Sequence, residues 1–138
     1  MDPSTLSGPF LAMMLLTLVV WLYMFVRRIR FLTSAQIDPD TLTPAKLAEI
    51  SPPAVANPSD NLKNLFEMPV IFYALVLYLL VTGGADTVYV AAGWTFVGFR
   101  ALHSAVHCTV NIVMLRFALY AVSSLALWFM VLRAALPL

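Results

Sequence analysis

Glu67, Arg100 and Arg116 each sit inside an otherwise apolar run of the sequence. Where such a run crosses a membrane, an ionisable side chain costs about 2.5–3.5 kcal/mol to insert, so each of these residues needs a partner or a role. The polar ends of the three runs fall near Asn61, His107 and Asn111. The charges then lie roughly five to seven residues inside, at a depth of roughly 7–11 Å. Three segments therefore present a charge at one level. On a helix, Arg100, His103, His107 and Asn111 fall within about 60° of one another. Asn64, Glu67 and Tyr78 share a side of the preceding segment, and Arg116, Tyr120 and Ser123 share one on the last. Polar faces in lipid must meet one another or line a wet cavity. Two arginines against one glutamate leave positive charge over, which suits an anionic ligand. A salt-bridge network that holds helices or subunits in register uses the same residues, and the pattern alone leaves both readings open.

The neighbouring residues refine this. His103 and His107 stand at i and i+4, a spacing that can hold a metal with Glu67 as a third ligand. The signal is weak and two arginines repel a cation, so hydrogen bonding within the polar layer is the expectation, with no metal. Pro69 cannot donate to the carbonyl of Leu65, which frees that oxygen for a ligand or simply kinks the helix. Tyr73, Tyr78, Tyr89, Trp94 and Trp128 read as interfacial anchors or packing. Tyr120 belongs with the polar layer, because it follows Arg116 by one turn. Cys108, the single cysteine, excludes a disulfide framework or a CxxC pair and reads as a small buried hydrophobe.

The elements that must position these residues follow from composition. The 138 residues are 62% hydrophobic and 11% charged, with a mean hydropathy of +0.89. A soluble domain of this size cannot hide so much apolar surface, whereas a bilayer removes the need. A net charge of +1 argues against nucleic acid as a partner. The expectation is an all-α, four-transmembrane-helix bundle in a single membrane domain. Its spans are about 6–26, 61–82, 87–107 and 113–133. The first has no basic residue before it and three after it, so it reads as an uncleaved helix. Five prolines between 31 and 61 predict a loop or lid over 27–60, relieved by a short helix from Pro44 to Ile50 behind a Thr43 cap. Gly83-Gly84 should end the second span, and Asp86-Thr87 should cap the third. Arg27, Arg28, Arg30, Lys46 and Lys63 make the first loop cytoplasmic and place both termini on the other side.

In this arrangement Asn64-Leu65-Phe66-Glu67 resembles the Asn-x-x-Glu signature of the MAPEG family, membrane-associated proteins in eicosanoid and glutathione metabolism. Arg100, His103 and His107 resemble the family's third-helix pattern. Arg116 falls where microsomal glutathione transferases and leukotriene C4 synthase open their fourth helix with arginine. The resemblance covers the whole chain and is closer to the bacterial branch than to the mammalian enzymes. It implies a homotrimer with glutathione bound between subunits near the cytoplasmic face, as the co-substrate of a transferase or peroxidase. An arginine of the Arg116 type then stabilises the thiolate that attacks a lipophilic small molecule. Asn64 and Glu67 hold the peptide, and Arg100, His103, His107 and Tyr120 complete the site. His107 stands where many members have tyrosine, Asp60 where some have arginine and Met68 where some have tyrosine. Each removes a donor or a ring. The competing reading is a non-catalytic membrane module that binds another ligand, or joins a larger complex, through the same Glu/Arg layer.

Overall fold

The structure is a computed structural model and describes residues 6–136. Among these, every regular element is helical. The elements are α1 (Ser7–Ser34), α2 (Pro44–Ile50), α3 (Pro53–Asn64), α4 (Met68–Thr82), α5 (Thr87–Cys108) and α6 (Val113–Ala135), with one 3-10 turn at Pro39–Thr41. Pro9, Met13, Val20 and Met24 form the buried stripe of α1. Their spacing keeps one helix face turned inward. Gly93 lets α5 approach α1 closely, since a Cβ there would stand 3.2 Å from the Pro9 ring. Small residues at such a crossing are how helices in lipid gain van der Waals contact.

The core lies where α1, α4, α5 and α6 converge. Met13, Phe72, Val76, Phe96, Leu127 and Met130 are fully buried there, and the rings of Phe72 and Phe96 stack with centroids 4.6 Å apart. Elsewhere large apolar side chains such as Leu15, Val19, Val81, Leu125 and Phe129 are exposed. Three stretches are long and apolar enough to cross a membrane: Ser7–Ser34, Pro53–Thr82 and Val113–Ala135. Exposed apolar surface on that scale belongs in lipid. α5 is of spanning length, but Arg100, His103 and His107 lower its hydropathy and it is not one of the three.

The expected caps are present. Thr43 Oγ1 accepts from the Lys46 amide, and Asp86 Oδ1 accepts from the Tyr89 amide. Gly83 closes α4 at φ 70°, a conformation that glycine adopts without strain. The expected loop over 27–60 is largely helical, and this is a correction. α1 runs on through Arg27, Arg28 and Arg30 because no breaker intervenes before Gln36, at φ 53°. α3 forms in spite of its prolines. Pro53 occupies the first turn, where its missing donor costs nothing. Pro58 sits inside the helix and cannot bond the Ala54 carbonyl, and Arg27 Nε of α1 donates to that oxygen instead at 3.2 Å.

The expected continuous helix over 61–82 is also interrupted. α3 and α4 are separated at Leu65–Glu67, where Glu67 adopts φ −100°, ψ −102°. Pro69, in the first turn of α4, has no N–H to give the Leu65 carbonyl one turn earlier and its ring crowds that oxygen, so the helix is interrupted there.

At the other end of the molecule Arg133 grips Asp86 through two bonds, 3.0 and 2.7 Å. The same guanidinium lies 4.5 Å from the Tyr89 ring centre. The Arg133 hydrogen bonds hold the Asp86 carboxyl below its ordinary value of 3.8. A lowered carboxyl pKa gives stability above the ordinary value and loses it as pH falls through the folded one. Asp86→Asn keeps the cap and is expected to cost about 0.5–1 kcal/mol at pH 7. Thermal melts of variant and wild type should draw together as pH falls below 3.8 and through the lower folded value, and a gap that does not narrow there removes the ion pair as its source.

Candidate functional site

Arg100 is the centre of the polar cluster. It projects from α5 and is fully buried, the largest side chain to be so. Its Nη2 donates to the Asn64 carbonyl at 2.7 Å. That oxygen lies at the α3–α4 break, so the guanidinium caps a carbonyl released by the interruption. Its plane lies over the Tyr120 ring of α6, 5.2 Å from the centroid. The remaining donors, Nε and Nη1, are buried with no partner.

His103 follows one turn later. Its Nδ1 donates to the Arg116 carbonyl at 3.0 Å, since a carbonyl can only accept. In the neutral ring Nε2 is then an acceptor, and it is buried without a partner. The His103 ring lies 5.7 Å from His107 and 5.9 Å from Tyr120, centre to centre. His107 Nδ1 is likewise buried and unpartnered. Arg116 is half-buried in the first turn of α6, and its Nη1 donates to Asn111 Oδ1 at 2.6 Å. No acidic residue and no side-chain cap lies at that helix start, so its free N–H groups add positive potential beside Arg116.

Arg100, His103, His107, Arg116 and Tyr120 are thus joined in one cluster, and Asn64 meets it through its backbone. Glu67 is not joined. It is exposed at the α3–α4 break. No ion pair within 4 Å links it to either arginine; those among the described residues are Lys63–Asp60 and Arg133–Asp86. Within one chain Glu67 therefore makes no direct ion pair with the arginines, although it lies close enough to Arg100 to attract it electrostatically. Tyr78, 55% exposed, lies outside the cluster. Among the described residues no group of three or more His, Cys, Asp or Glu could hold a metal.

Four further polar residues extend the cluster. Asn61 is fully buried, accepts from Ser104 Oγ at 3.3 Å and donates to Cys108 Sγ at 3.6 Å. Asn111, at φ 47°, bonds back to the Val106 carbonyl, takes Arg116 on its Oδ1 and donates to Asn57 Oδ1 at 3.4 Å. Asn57, Asn61 and Asn64 stand at i, i+4 and i+7, one helix face. That signal is visible only once 53–64 is taken as a helix.

A family model of the MAPEG family matches residues 6–136, nearly the whole chain. This chain belongs to the MAPEG family. No curated protein and no solved structure matches it. A MAPEG protein is a membrane protein, in keeping with the three helices long and apolar enough to cross a bilayer. Two concave regions of this MAPEG chain lie elsewhere, beneath the segment between α1 and α3 and along α1 and α5, and neither is lined by Glu67, Arg100 or Arg116. The polar cluster of a single chain is thus a buried patch with idle donors and acceptors, bordered by an unpaired exposed carboxylate.

Proposed function

We propose that this MAPEG protein is a glutathione-dependent transferase or peroxidase acting on lipophilic electrophiles. In this reading α1, α3–α4, α5 and α6 make four spans, and three copies form a homotrimer with both termini outside the cytoplasm. The site lies between subunits on the cytoplasmic side. One observation carries the proposal: a fully buried arginine with two unpartnered donors and no carboxylate within ion-pair distance. A buried cation left so is costly, and an anionic ligand relieves the cost. Glutathione offers two carboxylates for Arg100 and a backbone amide for the idle His103 Nε2. Glu67, exposed on its own chain, is free to receive the peptide's ammonium or to face a neighbouring copy.

The chemistry follows from charge. A free thiol has a pKa near 8.5, and a cation in a partly dry site lowers it. Arg116 supplies that cation together with the α6 N-terminus. It stays protonated throughout, so it acts by attraction and hydrogen bonding and never as a base. The thiolate sulfur forms a bond to the electrophilic carbon, and the displaced group leaves with the electron pair. The electrophile enters sideways from the lipid.

A direct test is a thermal melt with and without millimolar glutathione. At a concentration a hundredfold above its dissociation constant, glutathione should add about 2.7 kcal/mol. An unmoved melting temperature overturns the proposal. It would favour the non-catalytic module, a reading supported by Asp60, Met68 and His107, which take the places of an arginine and two tyrosines.

A further inference from the structure

The segment between α1 and α3 covers a hollow of about 480 Å³, within the roughly 300–1,000 Å³ usual for small-molecule sites. Nothing from this segment plugs it: no residue from 35 to 52 is buried, and only Ile37, Leu42, Leu47 and Ser51 are half-buried. The hollow has two kinds of wall. Leu32, Leu42, Leu47 and Val55 make an apolar side, while Arg28, Ser59, Asp60 and Lys63 make a polar one. Arg28 Nη2 donates only to the neutral Ser59 Oγ, at 3.2 Å. Within that wall the Asp60 carboxylate is paired with Lys63 at 3.0 Å, which leaves Arg28 as the charge in excess. Arg27 and Arg30 flank it at the end of a long apolar helix, the level at which lipid headgroups meet basic side chains.

The geometry points to a binding site for a single-chain anionic amphiphile, with its carboxylate or phosphate head on Arg28 and Ser59 and its chain among Leu32, Leu42 and Leu47. A guanidinium fork fits both kinds of head. The site is separate from Arg100 and Arg116 and does not depend on glutathione. Such a ligand would fix the segment over α1 and α3 as a lid.

The test is equilibrium binding of radiolabelled palmitate to the full-length protein in zwitterionic nanodiscs. Saturable binding is expected. Arg28→Gln should weaken it by about tenfold or more, the loss of one charge-assisted contact. Ala56→Phe, which fills the hollow, should abolish it. Competition by lysophosphatidate as well as palmitate would show that a phosphate head serves too, while competition by palmitate alone would restrict the site to carboxylates; either supports the proposal. Non-saturable uptake, or equal binding by Arg28→Gln, overturns it. Should either variant fail to fold, hexadecanol decides on the wild type. It lacks the charge and should bind about tenfold more weakly, and equal binding removes Arg28 from the site.

Discussion

Arg116→Ala should lower kcat toward a lipophilic electrophile by about 10²–10³-fold, the usual loss when one preorganised donor to a developing anion is removed. Glutathione should still stabilise the variant, because Arg100 and His103 remain. The reasoning rests on where Arg116 sits. It is half-buried in the first turn of α6, beside uncapped N–H groups and with no acidic residue in that turn to offset it. Its one side-chain bond goes to Asn111, which positions the guanidinium without neutralising it. Losing that bond costs about 0.5–1.5 kcal/mol of stability, so a folded variant is expected. Arg116→Lys keeps the charge but loses the planar fork and should fall between the two. Measured turnover equal to wild type in a well-folded Arg116→Ala protein would take this residue out of the mechanism.

Arg100→Met is expected to split stability from binding. The ligand-free variant should melt within about 1 kcal/mol of wild type, yet glutathione should no longer raise its melting temperature. Two favourable contacts disappear: a charged hydrogen bond to the Asn64 carbonyl, worth about 1.5–3 kcal/mol, and the stack on Tyr120, worth about 0.5–2 kcal/mol. Against them stands the cost of keeping an ion away from water with two idle donors, several kcal/mol in its own right. Methionine fills much of the same space and adapts its shape. Arg100→Ala leaves a void as well and should cost about 2–5 kcal/mol. A methionine variant that loses more than about 3 kcal/mol, in a protein indifferent to glutathione, would make Arg100 a structural pin and favour the non-catalytic module.

The helices that carry the cluster were legible because apolar runs of spanning length admit few alternatives. Gly83 and Asp86 marked the α4–α5 turn for the same reason that they form it. The stripe of Arg100, His103 and His107 was legible because α5 is regular throughout. What the sequence hid lay around prolines. Pro52, Pro53 and Pro58 suggested a loop, since the local rule forbids a helix there. The contact that overrides the rule, Arg27 on the Ala54 carbonyl, joins residues 27 positions apart. Losing α3 from view also hid the Asn57, Asn61 and Asn64 face. The opposite error occurred at Pro69. A continuous helical phase through residues 65–67 misses the break there, which leaves Glu67 exposed at the start of α4.

The pairing of Pro58 with Arg27 has an evolutionary corollary. The two residues are complementary: the ring leaves an oxygen idle, and the guanidinium occupies it. A descendant chain that changed Pro58 to alanine would restore the internal helical bond and release Arg27 toward phosphates of the surrounding leaflet. One that lost Arg27 first would leave the exposed Ala54 carbonyl to water at the junction of α1 and α3. The two changes should therefore couple only weakly, by a few tenths of a kcal/mol at about the limit of additivity.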